Sequence, residues 1–243
     1  MTALLFYKNV VALDRELHKS LRIKPAENLN FAENATALPI VIGEFGDVAR
    51  QGPIAFLRSD DKVLLPVALV GLPGGKNLYL NAEGKWNAPY IPAFIRRYPF
   101  VFAATGEDQL TLCVDRDFEG FNETEGDVLF EEGGEPGALI KGALDMLGEF
   151  QRQNALTQSF AKRLEEADVL MEATASATLD DGRNFSLQGL LVVDESKLRK
   201  IPEATLTAWF ASGELGLIYA HLLSLGNLLE LLRRQPAPAA QAR

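Results

Sequence analysis

The sequence is short of the residues that most often cross-link chains, bind metals or act as nucleophiles. Cysteine occurs once, at Cys113, which excludes an internal disulfide. It sits in the alternation Leu110, Leu112, Val114 with no local base to activate it, so a buried structural thiol is expected. Histidine occurs only as His18 and His221, too far apart for an HxxxH or HxD pair. A facial-triad iron site would need both of them plus a carboxylate. His18 reads as an exposed helix residue of the amphipathic segment Asp14–Leu21, and His221 as a hydrogen-bonded core or interface residue of the last helix. Positive charge is also in deficit. The chain has 24 Lys and Arg against 33 Asp and Glu, a net charge of -9, and a pI near 4.9. That argues against a general phosphate-backbone binder, which needs a basic face, though not against a local basic patch.

Long apolar runs are missing too. The stretch 215–232 comes closest, but His221, Ser224, Asn227 and Glu230 interrupt it, so no transmembrane helix is expected. The opening MTALLFYKNVVALDRELH has no basic n-region, and Lys8 breaks its short apolar run. No usual signal peptide is expected, and the expected location is cytoplasmic, with signal-independent export as the route to a cell-surface alternative. No G-x-S-x-G elbow is present. Gly71-Leu-Pro-Gly-Gly-Lys76 lacks phosphate-loop spacing and is followed by Asn77 where Ser or Thr is needed; it reads as a tight turn. Asp115, Asp117, Glu119 and Glu123 lack the EF-hand order, so a solvated acidic loop is expected. Neither a catalytic constellation, a metal nor a cofactor is expected.

What remains is an ordinary globular composition over 243 residues, 47% hydrophobic and 23% charged. A chain of this length buries about 70% of its surface on folding, enough for a sizeable core. The pattern predicts an α+β protein: a mainly antiparallel sheet from the N-terminal half, packed with a helical C-terminal half that contains one β-hairpin. Strands are predicted at Pro39–Ile42, Ile54–Leu57, Val63–Val70 and Leu78–Leu80, with a short helix at Glu44–Arg50. Pro92 opens a helix that Pro99 stops. Phe100–Ala103 and Leu110–Val114 form a hairpin around Thr105-Gly-Glu-Asp108. Asp115–Glu135 carries nine carboxylates and one Arg, and reads as a surface excursion pinned by its Phe residues. It is the one credible boundary in what reads as a single domain, 1–234, before a disordered Pro/Ala-rich tail, 235–243.

Two helices are predicted next, from about Pro136 to Gln153 and from about Ala155 to Ala167. A hairpin follows, Leu170–Leu179 and Phe185–Val193, turning at Asp180-Asp-Gly-Arg183. Asp194 caps a helix to about Ile201, and Pro202 opens another that Gly213 ends. The last helix, about Glu214–Arg233, is apolar around most of its circumference. Burial in the monomer is the simpler reading, and a homodimer the other.

The densest feature is the block 71–100. It combines the Pro-Gly-Gly turn with Lys76, Asn77, Trp86, Tyr90, Arg96, Arg97, Tyr98 and Phe100. Turn formers and aromatics at this density suggest a shaped surface, and these eight residues are the candidate ligand- or partner-binding set. Adjacent arginines on a short helix point about 100° apart, so one can face inward. An inward Arg97 beside Trp86, Tyr90, Tyr98 and Phe100 has two readings. It clamps a carboxylate of a ligand or partner, or it pairs with an internal carboxylate such as Glu44 and fixes the fold.

The same block, with Gly43-Glu-Phe45 and Pro53-Ile-Ala-Phe56 upstream and Leu187-Gln-Gly-Leu190, Val193-Asp194 and Leu222–Asn227 downstream, resembles the bacterial SapC family over nearly the whole chain. The resemblance implies no catalytic residues. The family name implies a surface-layer or envelope-associated structural role. The family's setting beside TonB-dependent receptors, flavin-dependent tryptophan halogenases and cupin-like hydroxylases implies an accessory role to such enzymes. The residues themselves favour a non-enzymatic binding or scaffold protein that recognises a partner protein, a peptide or an aromatic metabolite bearing a carboxylate.

Overall fold

The computed structural model describes residues 5–104, 106, 109–178 and 184–235. They form two compact units: residues 1–32 with 93–152, and residues 33–92 with 153–243. The acidic stretch 115–135 lies inside the first. The architecture is α+β, and every strand pair is antiparallel.

In the first unit, β1 (Val10–Ala12), β7 (Leu110–Asp115) and β6 (Phe100–Ala104) make one sheet in the order β1-β7-β6. The hairpin β6–β7 forms as predicted, although Thr105, Glu107 and Asp108 of its turn lie outside the described residues. The acidic stretch is more ordered than a plain excursion. It supplies β8 (Phe121–Asn122) and β9 (Asp127–Val128), which pair on either side of β2 (Arg22–Ile23). Phe118, Leu129 and Phe130 pin it by burying into a core with Ile23, Phe100 and Val114. Asp14–Leu21 forms turns, not a helix; the Asp14 carboxylate accepts the Glu16 and Leu17 N–H groups. The short α2 spans Ala93–Arg96.

In the second unit, β3 (Ala37–Pro39), β4 (Ile54–Arg58), β5 (Leu64–Leu69), β10 (Leu170–Thr178) and β11 (Asn184–Val193) form a sheet in the order β10-β11-β4-β5-β3. The strand expected at 78–80 is reduced to a single bridge, Leu80 to Trp86. The turn 180–183 lies outside the described residues, as does the tail from 236. The helix expected at Glu44–Arg50 is α1 (Phe45–Ala49). The two helices expected around 136–167 are one, α3 (Ala138–Glu166), because nothing between Gln153 and Ala155 breaks a helix. Asp194 caps α4 (Glu195–Leu198) through the Ser196 and Lys197 N–H groups. Gly213, at φ +81°, ends α5 (Glu203–Ser212) and starts α6 (Glu214–Ser224), a left-handed conformation that suits glycine.

From α6 the chain runs through a 3-10 turn (Leu225–Asn227) into α7 (Leu228–Arg233). By length and composition alone, 214–233 could cross a membrane: its mean hydropathy is 1.5. Only 28% of that apolar window is buried, so the segment is not the central core helix that its leucines suggested. Tyr219, Leu223 and Leu229 are exposed, as are Leu206 and Phe210 on α5. Its buried side is bonded to the sheet.

The bonding solves a local problem. β4 and β11 pair at one position, Leu191 opposite Phe56, so the backbone groups of Ile54 and Val193 lack strand partners there. Unpaired buried backbone groups are costly. His221 fills the gap: Nδ1 donates to the Ile54 carbonyl at 2.9 Å, and Nε2 accepts from the Val193 N–H at 3.1 Å. Ser224 Oγ accepts the Ile54 N–H at 2.8 Å. Both ring nitrogens are satisfied only when the imidazole is neutral. His221 is the hydrogen-bonded core residue that its sequence position suggested.

Burial pushes the His221 pKa down to about 4 from its ordinary 6.5. A depressed histidine pKa means that the unfolded chain binds the proton first. The wedge therefore contributes fully above pH 6.5 and is lost as pH falls from 6.5 toward 4. The expected loss between pH 7.5 and pH 5 is about 2 kcal/mol from this group. Urea midpoints measured across that range in the native chain and in His221→Gln check it: the native loss should exceed the variant's, and parallel curves would contradict the wedge.

Candidate functional site

The eight candidate residues divide between the two units. Lys76, Asn77, Trp86 and Tyr90 belong to the second, and Arg96, Arg97, Tyr98 and Phe100 to the first.

In the second unit the block folds onto its own framework. Gly71 permits a close approach, because a Cβ there would stand 2.3 Å from the Lys76 carbonyl. Lys76 is ion-paired with Glu33. Asn77 is buried, and its Oδ1 accepts the Tyr79 N–H at 3.0 Å. Trp86 stacks on Tyr79 with ring centroids 5.1 Å apart, and its Nε1 donates to the Tyr90 carbonyl at 2.8 Å. The Tyr90 hydroxyl donates to Glu44 Oε1 at 2.8 Å, and Glu44 Oε2 accepts the Val41 N–H. Trp86 and Tyr90 thus have structural employment, and so does Glu44, the internal carboxylate considered for Arg97.

In the first unit the arrangement differs. Arg97 follows α2 and is 6% exposed. Its guanidinium carbon lies 4.1 Å from the Phe94 ring centroid, 4.9 Å from Phe150 and 6.0 Å from Tyr7. The Tyr7 hydroxyl hydrogen-bonds with it and donates to the Phe100 carbonyl at 2.7 Å. Among the described residues no carboxylate pairs with Arg97, and its Nε and Nη2 have no hydrogen-bond partner. Those nitrogens carry three of the five guanidinium N–H donors. They form one edge of the plane, the edge that takes a carboxylate side-on. Arg163 in the second unit shows that edge in use: its Nε and Nη2 both donate to Glu214 Oε1.

The nearby acid does not fill the vacancy. Asp115 is fully buried, yet it accepts the N–H groups of Lys8 and Asn9 at 3.0 Å, the Asp117 N–H at 3.2 Å and the Tyr98 hydroxyl at 3.2 Å. Burial pushes the Tyr7 hydroxyl up to about 12 and raises Tyr98 as well, with Asp115 adding to both. Burial also lowers the Arg97 pKa. The cluster is therefore a neutral phenol pair between a satisfied carboxylate and an unsatisfied cation. The sequence points to Arg97, Tyr98 and Phe100; the structure places Tyr7, Phe94 and Phe150 around the Arg97 guanidinium and Asp115 against Tyr98, residues that sequence reasoning does not single out for the site. Asp115 was grouped with the acidic stretch because it begins it; the usable signal was that it also ends the β7 alternation.

Elsewhere the chemistry is plain. Cys113 is buried, and burial raises its thiol pKa. Among the described residues no group of three His, Cys, Asp or Glu side chains is placed to hold a metal ion.

Arg97 is a stability liability by this geometry. Each missing bond on a buried donor costs about 1–3 kcal/mol, while stacking on aromatic faces returns about 2. Arg97→Met keeps a stem between Phe94 and Phe150 and removes the charge. It should leave stability unchanged within about 1 kcal/mol, or raise it. Chemical denaturation measures this; a loss above about 3 kcal/mol would make Arg97 a structural counter-charge.

Comparison with curated proteins and with solved structures finds no match. The model of one family, SapC, matches residues 13–231, most of the chain. The chain belongs to the SapC family.

Proposed function

We propose that the chain is a non-enzymatic binding protein whose first unit takes a carboxylate from a ligand at the Nε/Nη2 edge of Arg97. One observation carries the reading: a guanidinium that is 6% exposed, stacked on two phenyl rings, and without a hydrogen-bond partner for either nitrogen of that edge among the described residues. Removing an arginine from water is expensive, and it cannot escape the cost by deprotonating at ordinary pH. Phe94 and Phe150 fix the plane of the fork in advance, so little entropy is lost when an anion arrives. Arg97, Tyr98 and Phe100 keep the binding role expected of them, with Tyr7, Phe94 and Phe150 added.

Isothermal titration with 4-phenylbutanoate and with its amide, 4-phenylbutanamide, tests this. The acid should bind at least about tenfold tighter than the amide, the size of a lost charged hydrogen bond, and Arg97→Met should erase the difference. Equal binding of acid and amide, or no binding of either, would overturn the reading.

A second reading, self-association, is favoured by the apolar surface of α5 and α6, where Phe210 is 76% exposed and Leu223 78%. Two such faces need no charge matching, so a second copy of the chain is the occupant that it suits. Sedimentation should show a dimer that Phe210→Ser with Leu223→Ser converts to monomer. A native chain that stays monomeric across the accessible concentration range would contradict it.

A further inference from the structure

The first unit holds a cavity of about 370 Å³ whose wall does not include Arg97. That volume is at the small end of the range for ligand pockets, about 300–1,000 Å³. Three rings line it: Phe31, Tyr98 and Phe118. Phe31 stacks on Tyr98 with ring centroids 4.1 Å apart, and Phe118 stands almost perpendicular to Tyr98, at 5.5 Å and 85°. The Tyr98 hydroxyl is tied to the buried Asp115 at 3.2 Å. The aromatic wall is therefore set before a ligand arrives, which lowers the entropy lost on binding.

Three carboxylates share the wall, Glu27, Asp117 and Glu119, and the cations on it are Lys8 and Lys24. Lys24 is ion-paired with Glu125, which is not part of the wall, so its charge is matched from outside. Three carboxylates then stand against Lys8. Asp117 accepts a bond from Asn9 Nδ2 at 3.2 Å, which holds one of them in place. The Tyr98 hydroxyl senses the resulting field: burial raises its pKa most, and the negative charges of Asp115 and Asp117 raise it further. A net charge of -9 also draws cations toward the chain at long range.

The walls select the kind of cation. The carboxylates are not placed to hold a metal ion together. A primary ammonium carries three N–H donors that each want an acceptor, and ring faces offer no lone pair to meet them. A quaternary ammonium has no N–H group, and aromatic faces attract its diffuse charge. We infer that this cavity binds a small molecule through a quaternary ammonium group, with the rings against its methyl groups and the carboxylates answering its charge. The inference goes beyond the Arg97 reading and does not depend on it.

Titration calorimetry with choline and with 3,3-dimethylbutan-1-ol, the neutral isostere that has carbon in place of the nitrogen, tests this. Choline should bind at least about tenfold tighter than the alcohol. Phe31→Leu keeps an apolar side chain and removes the π face; Glu27→Gln with Glu119→Gln keeps two exposed side chains and removes their charge. Each change should weaken choline by at least about threefold and leave the alcohol unchanged. The two ligands on the native chain decide the matter even where Phe31→Leu fails to fold. Equal binding of choline and the alcohol, or no binding of choline, would overturn the inference. Sedimentation with phosphatidylcholine vesicles separates a free molecule from the same group on a lipid. The chain should stay in the supernatant, and pelleting would overturn the small-molecule assignment.

Discussion

The first unit is organised around the buried carboxylate of Asp115. Its oxygens collect three backbone N–H groups and one phenol, and each bond fixes a different piece of chain. The bonds to Lys8 and Asn9 set the approach to β1, the Asp117 bond turns the chain out of β7, and the Tyr98 bond holds the residue next to Arg97. A buried carboxylate with that many donors has its hydrogen-bond demand met without a cation. Tyr7 ties Arg97 to the sheet, bonding the guanidinium and donating to the Phe100 carbonyl at 2.7 Å.

The second unit makes the contrast clear. There Glu214 is closed by Arg163, Glu44 by Tyr90 and the Val41 N–H, and the gap between β4 and β11 by His221 and Ser224, although Arg234 Nε, over the Tyr79 ring, has no partner among the described residues. Replacing a partner in such a network exposes an unmet donor or acceptor and costs stability. It is the pattern of groups that serve the fold. Arg97 follows the opposite pattern, in which a group is desolvated and oriented but left incomplete. A buried group left incomplete calls for an explanation, and a ligand that completes it is one.

The fold class was legible because its signals are local. The alternation at 100–114, the cap at Asp194 and the left-handed Gly213 act within a few residues, and each did what its chemistry dictates. The candidate site was half legible. Arg97 stood out by composition, but its aromatic neighbours came from Tyr7 and Phe150, about 90 and 50 residues away, and no spacing rule connects them. Trp86 and Tyr90 looked like its neighbours by proximity in sequence, and their partners are in the second unit. The last helix misled for a different reason. Leucine content reports an attraction to apolar surroundings without saying which surface supplies them, and here much of the segment has none among the described residues. The acidic stretch misled because charge count hides the alternate residues: Phe118, Leu129 and Phe130 decide where it goes, while its carboxylates only keep the other side in water.

The overall charge then constrains what Arg97 can receive. A surface at -9 repels anions at long range, although salt screens that field beyond about 8–10 Å. Recognition of a carboxylate here must therefore be decided at contact, where a desolvated fork meets its ligand with little competition from water. A polyanion would face the repulsion on approach and find one such fork at the end. The acidity of the chain thus weighs against polyanions and favours a small ligand that brings a single carboxylate.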